Sequence, residues 1–417
     1  MSVRILTVLL LSALSFLLPV ANAQIATNSD REEAKWLLER LTGVKWRGKD
    51  PVLEEVTRLI KLGQRKQAAQ LATQQPQFLN VLVKQFALQM STQDETRRIP
   101  LNDFAAMVMG HTRDGGDARE LLYGNFSYKG DPEQFGSYRI QNNAVDDIGL
   151  SNDHYDSLES SGIDVGKVLT RIDEQMLIVN MNGANISRQN PDPAGLLTSR
   201  AWVQAHAVAG TNRRLVEYTF RQFMCVKIEE WADPLANEAR IGRDIDRFPG
   251  GDNKVFQNTC RACHTVMDGF RGAFANLDYN GRPTNSTFGN TTGADKNLVV
   301  NKMNKNEKVY PGGYVTVDNS WVNNADRPGN SALFGWRKPA SGEVTHGSGI
   351  AQFGRLVANS QRFSQCMAQR VFDSVCKKQL TPTEKAAMLV RLGSQFEQNG
   401  YSLRKQFITT ATDVQCK

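Results

Sequence analysis

Histidine is scarce in this 417-residue chain, five in all, and there are six cysteines. Any metal or redox chemistry must therefore sit at few positions. No GxSxG elbow, HExxH motif, P-loop or dinucleotide fingerprint is present, which removes the commonest hydrolase and nucleotide-dependent signatures. No Lys/Arg block or basic stripe interleaved with aromatics occurs, so no nucleic-acid partner is expected. Past the amino terminus no apolar run reaches the roughly 20 residues of a membrane-spanning helix. Internal repeats and low-complexity tracts are also lacking.

The rest is ordinary: 40% hydrophobic and 22% charged residues, in a chain long enough to bury a core without help from disulfides or metals. Met1 to Arg4 form a short basic start, Leu6 to Val20 an apolar run, and Ala21-Asn22-Ala23 precede Gln24. This reads as a signal peptide over 1–23 with an AxA cleavage site, and it places the mature protein in the periplasm or outside the cell. Net charge is +7, a modest excess that fits ordinary solvation.

Ser29 and Glu32 read as a capping box before a helix over 30–42, and Pro51 opens a second helix with Val52, Val56, Ile60 and Leu62 inside. Ala68–Thr73 and Pro76–Met90 complete a helical amino-terminal region, 24–96. A mixed region follows over 97–190. Asn102–Met109 and Asp117–Tyr123 look helical there, 124–165 looks mainly loop, and Gln175–Met181 fits a strand or a buried helical turn. Asn190-Pro191-Asp192-Pro193 marks a boundary. The next region, 191–345, holds helices at Ala201–Ala209 and Asn212–Glu230 and a Gly/Asn-rich insertion over 283–345. The carboxy-terminal region, 346–417, predicts helices at Ala351–Lys377 with a break near Asn359, at Pro382–Asn399 with a Thr381/Glu384 capping box, and at Ser402–Thr410. The fold class is mainly α.

The chemistry centres on Cys260-Arg261-Ala262-Cys263-His264. CxxCH is the spacing at which two thiols form thioethers to haem while the next histidine reaches the iron. A thioredoxin-like pair would sit near a βαβ pattern and a zinc site would need a second ligand pair; neither context accompanies this motif. One covalent haem c is expected, on Cys260, Cys263 and His264. The other cysteines, Cys225, Cys366, Cys376 and Cys416, suit two disulfides in an oxidising compartment, with three connectivities open.

Beyond the motif, Met267-Asp268, Ala273-Phe274, Asn276-Leu277-Asp278 and Gly281-Arg282 resemble, without a gap, the segment CHxxMDPxGFALENFDxxGRxR of the planctomycete-type cytochrome c family. Gly195-Leu196-Leu197-Thr198 and Phe223-Met224-Cys225 upstream are similar to that family's GLLT and LLC. Phe363, Cys366, Phe372, Asn399-Gly400-Tyr401 and Leu403–Thr410 are similar to its carboxy-terminal helical domain. The likeness covers about 194–282 and 347–412. Gly269, Arg271 and Ala275 depart from it, standing where the family has Pro, Gly and Glu. The resemblance implies an exported haem protein without naming a substrate, and it implies that Cys225 pairs with Cys366 and Cys376 with Cys416.

The sixth iron position separates carrier from catalyst. Met303 and His346 are the candidate distal ligands. Met267, one turn past His264, lies on the same side and is expected to pack, not ligate. His206 reads as a satisfied core or surface histidine, and His111 and His154 rank lower as ligands. Trp202, Trp231, Phe270 and Phe274 are expected in the core and haem wall, and Asp268, Asp278 and Arg282 in a structural ion pair, with contact to a haem propionate as the alternative. The leading expectation is one-electron transfer to an unidentified redox partner protein, not catalysis on a substrate of its own. The alternatives are a haem-dependent peroxidase or oxidase subunit with an open distal site, and a cell-envelope interaction protein in which haem is mainly structural.

Overall fold

The computed structural model describes residues 18–131, 152–181, 184–207, 212–237, 240–241, 254, 256–279, 283–285, 318–338 and 344–417. The chain is mainly helical, as expected. Helices α1 (Leu18–Thr42), α2 (Pro51–Lys61), α3 (Arg65–Thr73) and α4 (Lys84–Met90) build the amino-terminal layer. Asp50 starts α2 by accepting from the Val52 and Leu53 amides, and Leu53, Val56, Leu59 and Ile60 bury one face. Leu62, expected inside, follows the last turn and is 57% exposed.

A second difference lies in α1. Ser29 does not cap a helix, because α1 already runs from Leu18 through it, so the amides that a cap would satisfy lie inside the helix. Glu32 instead pairs with Lys35 at 2.6 Å. Residues 1–17 of the expected leader lie outside the described residues. Among the described residues no helix is long and apolar enough to cross a membrane.

In the middle region α5 (Asp103–Asp114) is capped by Asn102, whose side chain accepts from the Ala105 amide at 2.9 Å. Part of 124–165, expected to be mainly loop, is regular: β1 (Ser127–Gly130) and α6 (Asp153–Ser160) lie there. β1 pairs antiparallel with β2 (Leu169–Ile172). The cause is long-range, since the fully buried Tyr128 lies flat against Gly110 of α5 and its hydroxyl donates to Asp114 at 2.7 Å. Gln175–Met181 resolves as strand β3 (Met176–Met181), hairpin partner of β4 (Ala184–Gln189).

Helix α7 (Arg200–His206) precedes α8 (Arg213–Phe223), which stops well short of Glu230. The chain turns at Cys225, which takes φ 52°. Then come α9 (Arg261–Phe270), the ribbon β5 (Leu277–Tyr279) and β6 (Pro283–Asn285), strand β7 (Ser320–Val322), α10 (Pro328–Phe334) and strand β8 (His346–Ser348). β8 pairs antiparallel with β7.

The carboxy-terminal helices form as expected: α11 (Gly349–Ala358), α12 (Gln361–Val375), α13 (Pro382–Gln398) and α14 (Leu403–Ala411). The Thr381/Glu384 capping box is present. This end packs back on the amino-terminal layer. Phe407 meets Phe78 and Phe86 edge-on at 5.4 and 5.5 Å, and Lys417 pairs with Glu33 at 2.8 Å. A single apolar cluster runs through all these layers.

Candidate functional site

The candidate site is built on α9. A π-turn over Phe256–Cys260 leads into it, and Cys260 already has helical dihedrals (φ −88°, ψ −34°). Cys260, Cys263 and His264 are thus spaced i, i+3 and i+4 and share one face of the first turn. All three are half-buried, whereas Thr265 to Phe270 are buried. The helix therefore keeps its beginning accessible and sinks its end into the core.

The turn over 231–236 braces that beginning. Trp231 Nε1 donates to the Cys263 carbonyl at 3.3 Å, the Asp233 amide to the Ala262 carbonyl at 3.1 Å, and Arg261 to the Pro234 carbonyl at 2.7 Å. From the other side Asn324 donates to the Thr265 carbonyl at 2.9 Å. β7 lies so close that a Cβ on Gly269 would stand 2.6 Å from the Val322 carbonyl oxygen, and one on Gly272 2.0 Å from that of Ser320. Gly269 is one of the family departures, and here only a bare backbone lets the strand approach.

Asp268, one turn past His264, is fully buried with Arg213 as its partner, Nε to Oδ1 at 2.6 Å and Nη2 to Oδ2 at 2.9 Å. Burial acts to raise its carboxyl. The Arg213 and Arg271 charges and the two-point hydrogen bond outweigh this and hold it well below the usual carboxylate range. Asp268 is thus in an ion pair, with a partner, Arg213, that the sequence did not point to and that α8 presents across the core. The Asp278 side chain and Arg282 lie outside the described residues.

Cys260 and Cys263 are free thiols. Burial, then Glu229 and Cys260, push the Cys263 thiol up, opposite to the lowered thiol of a redox-active pair. The other four cysteines pair as the family likeness implied, Cys225 with Cys366 (Cα atoms 5.2 Å apart) and Cys376 with Cys416 (4.9 Å). Among the described residues no three His, Cys, Asp or Glu side chains form a group able to hold a metal ion. Cys260, Cys263 and His264 therefore do not converge as zinc ligands must.

An aromatic wall backs α9. Phe220 meets Trp231 and Phe270 edge-on at 5.3 and 5.4 Å, and Phe270 and Phe274 lie 5.3 and 5.6 Å from Phe353. Trp202 belongs elsewhere, stacked on Phe104 and meeting His206 edge-on. Trp321, Trp336, Phe353 and Arg213 were not anticipated; only the aromatic content of 321–353 and the Arg213-Arg214 pair opening α8 hinted at them.

Met267 is buried, as expected of a packing residue. His346 is exposed at the start of β8, opposite Val322, its Nδ1 3.0 Å from Thr345 Oγ1. Met303 lies outside the described residues. His206 corrects an expectation: it is core but not satisfied. Its ring lies between Trp202 and Tyr218, 4.2 Å from each, and among the described residues neither ring nitrogen has a hydrogen-bond partner. His111 contacts the Asp117 carbonyl at 2.8 Å, and His154 accepts from the Gly130 amide at 3.0 Å. Comparison with family models, curated proteins and solved structures finds no match for this chain.

Proposed function

We propose that this chain is an exported monohaem c-type cytochrome, similar to the planctomycete-type family, that transfers electrons to a redox partner protein. The observation that carries the reading is the disposition of α9. Two thiols and an imidazole share one half-accessible face, while the four other cysteines are consumed in disulfides. Cys260 and Cys263 would hold the porphyrin edge through sulfur, which does not require the three side chains to converge, and His264 would bind the iron. The group supplies a one-electron iron couple. The chain's part is to fix the attachment face through Trp231, Asp233 and Asn324, and to back it with the Phe220, Phe270 and Phe353 wall, which keeps water from that side. The leader-like amino terminus and the two disulfides support a periplasmic or secreted location.

The test is extraction. Haem must stay on the polypeptide through acid-acetone treatment and a denaturing gel, and its loss under either treatment would overturn the proposal.

A further inference from the structure

The last turn of α8 leaves backbone carbonyls facing α12, and two arginines of α12 answer them. Arg370 donates to the Gln222 carbonyl at 2.7 Å, the Arg221 carbonyl at 3.1 Å and Gln222 Oε1 at 2.6 Å. Arg362 donates to the Met224 carbonyl at 3.1 Å. A helix C-terminus carries only about half a negative charge. The two guanidinium charges are therefore compensated only in part: among the described residues neither forms an ion pair, although Glu230 faces Arg362 and Glu95 and Asp373 face Arg370.

Both arginines line a cavity of about 480 Å³ whose wall includes Cys225 of the Cys225–Cys366 disulfide. Arg221 and the exposed Arg97, Lys227 and Lys385 bring further positive charge to it. Three carboxylates line it too, leaving the cations in excess. Two of these are engaged: Glu95 by Arg221 at 3.3 Å, and Glu230 by the Lys227 amide at 2.9 Å. Capping of α8 accounts for Arg362 and Arg370. It does not account for Arg97, Lys227 and Lys385 gathered over the same hollow, where the third carboxylate, Asp373, faces Lys385, Arg370 and Arg97 together and leaves a positive excess that a bound anion would relieve.

We propose that this cavity binds a small polyanion, a metabolite carrying two or more carboxylate or phosphate groups. Its volume falls within the roughly 300–1,000 Å³ typical of small-molecule sites. The recessed guanidinium groups, although their Nε atoms are spent on α8, supply fixed positive charge for an oxyanion, and the lysines at the rim suit its remaining charge. A concave site with its arginines below the rim favours a small ligand over a flat acidic protein surface. The proposal stands independently of the haem reading.

The experiment is calorimetric titration of the full-length protein with citrate and with pyrophosphate, at a constant ionic strength of about 0.15 M so that screening is fixed. Saturable one-to-one binding of either ion is expected, and the preferred ion tells carboxylate from phosphate chemistry. Lys227→Glu with Lys385→Glu, exposed positions that leave the fold intact, should weaken it at least tenfold. Arg370→Gln should abolish it, with circular dichroism checking the fold. Absence of saturable binding, or equal affinity in the Lys227/Lys385 variant, would overturn the proposal. So would binding of poly-glutamate with neither small ion bound, which would make the cavity a dock for an acidic protein.

Discussion

Arg213 holds the fully buried Asp268 in a two-point clamp, with nitrogen to oxygen distances of 2.6 and 2.9 Å. The clamp ties the start of α8 to the fourth residue after His264, so α9 cannot rotate about its axis without breaking it. Removing one partner of such a pair strands a buried charge, a loss of roughly 3–5 kcal/mol. Arg213→Ala should cost that much in urea unfolding. Arg213→Met combined with Asp268→Leu should recover part of it, because the buried Arg271 then loses the carboxylate it faces. An unchanged midpoint in the single variant would show that the pair does not brace the helix.

The packing of β7 on α9 gives a second expectation. Gly272→Ala drives a methyl group into the Ser320 carbonyl and should cost about 1–3 kcal/mol through displacement of the strand. Gly329→Ala, where nothing lies within 4 Å, serves as the neutral comparison. Equal melting temperatures for the two variants would contradict the close approach.

Acid should unfold the protein partly through histidine. Burial, reinforced by Arg214 and Arg221, depresses His206 to about 3, and burial with Lys129 depresses His154 to about 4. Both values lie below the unfolded value of about 6.5, so the unfolded chain binds more protons between them. The stability held by the neutral rings is therefore complete above about pH 6.5 and lost as pH falls towards 4 and then 3. Each histidine contributes a slope of up to about 1.4 kcal/mol per pH unit. His206→Phe should remove one proton from that slope, measured by unfolding at a series of pH values, and an unaltered slope would refute a neutral buried ring.

Disulfide loss should be unequal. The Cys225–Cys366 bridge spans 141 residues and Cys376–Cys416 spans 40, giving loop-closure contributions of roughly 5 and roughly 4 kcal/mol. Paired Cys→Ser replacements should therefore hurt more at the first bridge. Peptide mapping without reductant should recover these two pairs, and any other pairing would be decisive against them.

The electron-carrier reading predicts a reduced absorption spectrum that carbon monoxide leaves unchanged. A rapid spectral change would favour the peroxidase or oxidase reading, because it reports an open iron position. The same spectrum, recorded for His346→Ala and Met303→Ala in turn, identifies a distal ligand among the two candidates.

The sequence by itself determined what depends on neighbours a few residues apart. The CxxCH motif is legible as spacing alone, and the Thr381/Glu384 cap, the helix over Asn102–Met109 and the four carboxy-terminal helices follow from local periodicity and capping, which the 3.6-residue repeat writes directly into the text. The family likeness added the disulfide pairing that spacing had left open among three connectivities.

Only the tertiary structure decided the rest. Arg213 became the partner of Asp268, β7 closed on Gly269 and Gly272, β1 formed where loop was expected because Tyr128 packs on Gly110, and His206 was buried among aromatic rings without a partner. Each of these pairs groups from separate elements, most of them far apart in the chain. Its geometry is set by how whole helices pack, and no local pattern of residues encodes that.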